Sequence, residues 1–242
     1  MPRNTALSLV GCLAITLAVL PATAASSAAA PVYYCFGVAA TIVGTPGEDI
    51  LIGREDTADV IVGLGGNDTI FGAEDVNART APGDRLCGGP GNDTLGGGVG
   101  EDYLDGGWGD DDVDGSFGYD VIAVGGPGND RVTDCDSEYD AGTRVMIGGP
   151  GDDYLCADVS DTRMYGNSGD DELVDLDCFG EARMYGGTGN DVLRSHFHNF
   201  EGLGCTEFGI DNPDHLSGGP GVDQAIVSPN DLISTIEEIL VG

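Results

Sequence analysis

The stretch "GGPGNDTLGGGVGEDYLDGGWGDDDVDGSFGYD", residues 88–120, repeats glycine and aspartate at a fixed interval. Asp84, Asp93, Asp102, Asp111 and Asp120 stand nine residues apart each time. Asp49, Asp59 and Asp68 precede them at spacings of ten and nine, and Asp130 follows at ten. Asp153 and Asp171 are two units apart, Asp191 comes twenty residues later, and Asp214 and Asp223 close the series nine apart. So short a period, sustained over most of a chain, is the signature of a solenoid.

A second regularity does not depend on the choice of Asp. The residue two after each Asp reads Leu51, Ile61, Ile70, Leu86, Leu95, Leu104, Val113, Ile122, Val132, Leu155, Leu173, Leu193, Leu216 and Ala225. Every one is apolar. Each unit is therefore a Gly/Asp turn followed by a short strand with one inward residue, and the residues flanking it face outward because strand side chains alternate.

The composition says what such turns need. The 242 residues include 42 glycines and 42 acidic residues against nine basic ones, all Arg, for a net charge of −33. Acid at this density repels itself on compaction, so the chain either stays disordered or is neutralised by cations. A flexible acidic tail would not hold an apolar residue at constant phase. The lack of a basic surface excludes nucleic acid and insertion into anionic membranes. Carboxylates, together with carbonyls freed by glycine turns, suit Ca²⁺, a hard ion taking six to eight oxygens in flexible geometry. Zn²⁺ and copper favour imidazole or thiolate, and Mg²⁺ dehydrates reluctantly. One inward apolar residue in nine cannot offset the ordering entropy of so many glycines. Metal binding is therefore expected to supply folding free energy, and the calcium-free chain is expected to be expanded.

The pattern GGxGxDxUx, with U a large apolar residue, resembles the hemolysin-type calcium-binding (RTX) repeat. "GGPGND" at 88–93 and 125–130, "GGPGDD" at 148–153, "GGTGND" at 186–191 and "GGPGVD" at 218–223 match it fully, while "GLGGND" at 63–68 and "GNSGDD" at 166–171 match in part. The opening "CFGVAATIVGTPGEDILIG" from Cys35 also resembles small secreted actinobacterial proteins of that group. The resemblance implies an all-β fold, a parallel β-roll (right-handed β-solenoid) with two nonapeptides per coil and coils about 4.8 Å apart. Asp84, Asp102 and Asp120 would line one edge, and Asp93, Asp111 and Asp130 the other. It further implies Ca²⁺ between successive turns, held by backbone carbonyls and the carboxylates of Asp49, Asp59, Asp68, Asp84, Asp93, Asp102, Asp111, Asp120, Asp130, Asp153, Asp171, Asp191, Asp214 and Asp223.

Residues 1–30 differ from the rest. Arg3, an apolar run from Ala6 to Leu20 and small residues after it form a secretory signal pattern, with "LVGC" at Leu9–Cys12 as a less favoured lipoprotein box. The remaining cysteines are even in number, which in an exported chain favours disulfides. Stacked coil positions near 5 Å fall within disulfide Cα range, and the preferred set is Cys35–Cys87, Cys135–Cys156 and Cys178–Cys205.

Past Asp130 a longer period appears: "TRVMIGGPGDDYL" from Thr143, "TRMYGNSGDDEL" from Thr162 and "ARMYGGTGNDVL" from Ala182. Each coil here is expected to keep one calcium turn and to replace the other with a loop such as "CADVSD" or "VDLDCFGE". Arg144, Arg163 and Arg183 would either pair with nearby acids or stand solvated. The expected organisation is a signal (1–30), a regular roll with an N-terminal cap (31–130), an irregular roll with disulfides (131–223) and a C-terminal cap (224–242). "SHFHNF" at 195–200 offers His196 and His198 but no third zinc ligand, and no GxSxG, HExxH or P-loop pattern occurs. The expectation is a secreted, non-enzymatic calcium-binding β-roll. The alternatives are a calcium-stabilised adhesion or matrix protein that binds a cell-surface or polysaccharide ligand through irregular loops, and an enzyme with an unrecognised site in 131–215.

Overall fold

The computed structural model describes residues 31–72, 82–118, 120–134, 143–158, 161–177, 180–195, 214–227 and 231–241. Residues 32–242 form one compact unit. Its strands build two parallel sheets of ten strands each. One sheet runs in chain order through the odd-numbered strands from β3 (Ile42–Val43) to β21 (Leu232–Ser234), the other through the even-numbered ones from β4 (Ile50–Ile52) to β22 (Glu238–Val241). Successive strands alternate between the sheets, so the chain winds as a β-solenoid with the turns on its two edges. Residues 231–241 add the last strand to each sheet, continuing the winding to the end of the described chain.

The interior is two facing columns of single side chains. Ile61, Leu86, Leu104, Ala123, Met146, Met164, Met184 and Leu216 come from the odd sheet. Ile70, Leu95, Val113, Val132, Leu155, Leu173, Leu193 and Ala225 come from the even one. All are essentially fully buried, and the strand register stacks each on its counterpart in the next coil, as in Leu86 on Leu104 and Leu155 on Leu173.

One expected inward residue is corrected. Ile122 is only half-buried, and Ala123 takes its place in the core. After Asp120, the Val121 N–H donates to the Asp102 carbonyl, but Ile122 is the residue that pairs with Tyr103, so Ala123 lands on Leu104. The strand has absorbed one extra residue before its inward position, which accounts for the ten-residue spacing from Asp120 to Asp130. The inward methionines Met146, Met164 and Met184 follow turns that end in Thr143, Thr162 and Ala182, so a search keyed on Asp passes over them.

The N-terminal hairpin, β1 (Tyr34–Cys35) and β2 (Val38–Ala39), is antiparallel and turns through Phe36 and Gly37 at positive φ. Cys35 packs with Val60, Val62 and Cys87 on the outer face of the odd sheet and forms the expected disulfide with Cys87. Cys156 is also disulfide-bonded. Cys135, Cys178 and Cys205, which complete the other expected pairs, lie outside the described residues, as do the signal segment with Cys12 and the His196/His198 pair.

Candidate metal centres

The repeat aspartates fall into two stacked rows. Asp49, Asp68, Asp93, Asp111, Asp130, Asp153, Asp171, Asp191 and Asp223 line one edge, called here the regular edge. Each backbone N–H donates to Oδ1 of the next Asp in the row at 2.7–3.0 Å. The last donates to a carboxylate oxygen of Glu237. Asp59, Asp84, Asp102 and Asp120 stack in the same way on the opposite edge, at 2.6–2.9 Å. There the row breaks: Thr143, Thr162 and Ala182 take the next places, judged by the Arg144 N–H to Asp120 O, Thr162 Oγ1 to Thr143 O and Arg183 N–H to Thr162 O bonds. Asp214 and Asp231 resume it.

Over most of the regular edge, and at two positions opposite, stacking satisfies one carboxylate oxygen and strands the other. On the regular edge, Oδ2 of Asp68, Asp93, Asp111, Asp130, Asp153, Asp171, Asp191 and Asp223 is buried without a hydrogen-bond partner. Oδ2 of Asp102 and Asp120 is in the same condition on the other edge. A desolvated ionised oxygen without a partner is costly, and the carboxyl groups register it. Burial first, then neighbouring carboxylates, pushes Asp111, Asp153 and Asp171 up to about 7 and Asp130 and Asp191 up to about 6, against the pull of the one N–H each accepts.

The glycine that opens each turn makes room for that oxygen. A Cβ on Gly88 would lie 2.3 Å from Asp93 Oδ2 and 2.5 Å from the carbonyl oxygen of Gly106 in the next coil. The same approach recurs at Gly63, with Asp68 Oδ2 at 2.2 Å and Gly88 O at 2.6 Å, and at Gly166, with Asp171 Oδ2 at 2.2 Å and Gly186 O at 2.5 Å. These turns therefore hold a partnerless carboxylate oxygen and a carbonyl from the adjacent coil on either side of one side-chain-free position. Among the described residues, no three His, Cys, Asp or Glu side chains converge on one point, so a cation here would draw most of its oxygens from the backbone. Such an oxygen-only, carbonyl-rich donor set fits Ca²⁺.

Two residues at the N-terminal end differ. Asp59 accepts hydrogen bonds from the Arg54 backbone N–H, the Arg54 guanidinium and the Thr41 hydroxyl. Burial would raise Asp59, but these bonds outweigh it and hold the carboxyl below its usual range. Asp49 Oδ2 accepts from the Thr45 hydroxyl and backbone N–H in an exposed turn. Of the arginines past Asp130, Arg144 approaches Glu101 at 3.9 Å and Arg183 approaches Glu181 at 3.3 Å, both partly exposed pairs of small energetic weight.

Two features went unread in the sequence. The residue before the regular-edge Asp forms a second, outer row from Asp68 to Asp191: Asn67, Asn92, Asp110, Asn129, Asp152, Asp170 and Asn190 accept at Oδ1 from the backbone N–H of the same position in the next coil, at 2.8–3.1 Å. The signal was present, since from Asn67 to Asn190 this position is always Asn or Asp, with Glu48 and Val222 at the ends of the row, whereas on the other edge it is Ala58, Gly83, Glu101 and Tyr119. The second feature is a pair of buried acids outside the repeat phase, Asp134 and Asp175.

Comparison with protein families finds four copies of the RTX calcium-binding nonapeptide repeat, at residues 55–77, 88–122 and 180–196, and identifies no catalytic family. Comparison with curated proteins returns no match. Residues 88–122 span Gly88, Asp93, Asp102, Asp111 and Asp120, where the rows on both edges run without a break. The chain thus carries RTX calcium-binding repeats, wound into a β-roll whose two edges bear stacked rows of largely buried aspartates.

Proposed function

We propose that this chain is a secreted, non-enzymatic protein whose folding is driven by extracellular Ca²⁺ bound between successive turns. The observation that carries the reading is the row of buried, partnerless Oδ2 atoms on the regular edge. A buried carboxylate without a partner is a liability unless a cation completes it. Asp68, Asp93, Asp111, Asp130, Asp153, Asp171, Asp191 and Asp223 on that edge, with Asp84, Asp102 and Asp120 opposite, are the proposed carboxylate ligands. Asp49 and Asp214 are proposed as ligands where the rows begin and resume. Asp59, already engaged by Arg54, serves as a charge-neutralised cap of its row. Export before calcium is met follows from the same physics, because a chain this acidic stays expanded where calcium is scarce.

Equilibrium dialysis tests the reading. Several calcium ions bound per chain, with Mg²⁺ failing to displace them at equal concentration, is the expected result. Binding of no calcium, or equal binding of Mg²⁺, would overturn it.

A second reading, adhesion to a cell-surface or polysaccharide ligand through the irregular loops, draws support from where those loops fall. Every turn on the regular edge from Gly44 to Asp223 has six residues, whereas the strand ends that the longer sequence spacings 72–84, 134–143 and 195–214 join lie on the opposite edge. A calcium-dependent pull-down on cell-wall polysaccharide would support it, and retention of binding after those loops are shortened would remove it.

A further inference from the structure

Where the edge opposite the regular one loses its Asp, it also loses its glycine. The strand register places Asp134, Ala157 and Asp175 in the slot that Gly97 and Gly115 fill in the preceding coils. The other end of the same three turns holds Thr143, Thr162 and Ala182 in place of Asp. In the first and third of these coils the carboxylate has crossed from the end of the turn to its beginning.

The first crossing closes on the last Asp of the unbroken row. Asp134 and Thr143 are 1% and 0% exposed, and Asp120 is 0% exposed. Asp134 Oδ2 accepts from the Thr143 hydroxyl at 2.8 Å and from the Thr143 backbone N–H, which leaves Asp134 Oδ1 buried without a partner. Asp120 Oδ2 is likewise partnerless. A Cβ on Gly115 would lie 2.6 Å from Asp120 Oδ2, 2.6 Å from Thr143 Oγ1 and 2.9 Å from Asp134 Oδ2. Three side-chain oxygens from three coil positions thus surround one glycine, where an ordinary repeat turn supplies a single carboxylate oxygen and a carbonyl. The hydroxyl keeps lone pairs for a cation while donating to Asp134.

We propose that Asp120, Asp134 and Thr143 form a calcium site of a second kind, built from a relocated carboxylate and lying outside the nonapeptide motif. It rests on the calcium reading above and extends it to a residue no repeat contains. Two carboxylates and a hydroxyl make it richer in side-chain charge than a repeat turn, and more charge at a site raises calcium affinity. The site explains why the row can stop at Asp120 without leaving a half-formed end. The same relocation recurs at the far side of the gap, where Asp175 is buried against Asp214 in a coil whose turn ends in Ala182. Ala157–Thr162 is then the one described turn between Asp120 and Asp214 with no carboxylate at either end.

Two variants of the full-length chain test this by counting bound calcium at saturation. D134N keeps both acceptances from Thr143 but removes the charge, and it is expected to bind one ion fewer per chain than the parent while its β-sheet signal in calcium is unchanged. D134G/T143D, which restores the ordinary Gly–Asp arrangement, is expected to recover the full count. A D134N chain with the parent's count and affinity would overturn the proposal and leave the repeat sites standing. A double variant that remains one ion short would overturn the relocation. If D134N does not fold, the count of the double variant decides. A parent chain that binds no calcium would instead overturn the reading on which the proposal rests.

Discussion

The two edges of the roll share one core and differ in nearly everything else. On the regular edge, nine consecutive turns from Gly44–Asp49 to Gly218–Asp223 keep the same length and the same Gly and Asp positions, and they carry two parallel rows of side-chain-to-backbone bonds. On the other, loops vary in length and Asp gives way to Thr or Ala. Beneath that gap the inward column runs on unbroken through Met146, Met164 and Met184, all fully buried. The solenoid interior therefore does not need the Gly/Asp turn. Its retention at every turn of one edge is consistent with calcium binding there, while the other edge shows the same core carried by turns without it.

Breaking a regular turn should do the most damage. Gly88→Ala puts a methyl 2.3 Å from Asp93 Oδ2 and 2.5 Å from Gly106 O. One of these is backbone that cannot move without unstacking a coil, so the expected cost is about 3 kcal/mol, seen as a large rise in the calcium needed for folding. Asp111→Asn removes one charge and leaves the hydrogen bond to the Asp93 N–H possible. The expected result is a severalfold rise in the calcium midpoint and a lower calcium count at saturation, because ligand binding and folding are linked.

Protons should partly replace calcium. Burial in the folded roll raises Asp111, Asp153 and Asp171 to about 7, against about 4 in an unfolded chain. The folded state thus binds protons more tightly, and this contribution is fully present below about pH 4 and lost as pH rises through about 7. Without calcium, β-structure should grow as pH is lowered from 8 toward 4. With calcium, the same acidification should raise the midpoint, because protons compete for the same oxygens. A metal-free chain equally unfolded at both pH values would contradict the burial of these groups.

Thr162→Ala touches the irregular edge alone. It removes a hydroxyl that donates to Thr143 O at 3.2 Å, so thermal stability in saturating calcium should fall by about 1 kcal/mol. The calcium count should not change. A lost ion would make this edge a metal edge throughout and erase the contrast.

Much of this was legible because period and phase are properties of the sequence itself. The Asp series separated the edges, and the apolar residue two positions on located most of the core. The reading failed where the marker residue was absent or displaced. Alignment on Asp could not see Met146, Met164 and Met184 behind Thr and Ala, nor the extra residue that puts Ala123 rather than Ile122 inside. Asp134 and Asp175 were invisible for a deeper reason: they matter only through strand register, which stacks Asp134 on Gly115 and Asp175 on Ala157 in the slot that glycine fills in earlier coils. Cys35–Cys87 was readable as a tie to the N-terminal segment, but that the hairpin lies against the outer face of the odd sheet follows from packing around Val60 and Val62.

The account stands on metal supplying the free energy that the thin core lacks. Far-ultraviolet circular dichroism of the full-length chain, titrated with calcium at neutral pH from an EDTA-treated start, tests it directly. The expected result is a cooperative gain of β-structure, reversed by EDTA and not reproduced by Mg²⁺ at the same concentration. A chain already fully β-structured in EDTA at neutral pH, or one that gains the same structure in Mg²⁺, would contradict it.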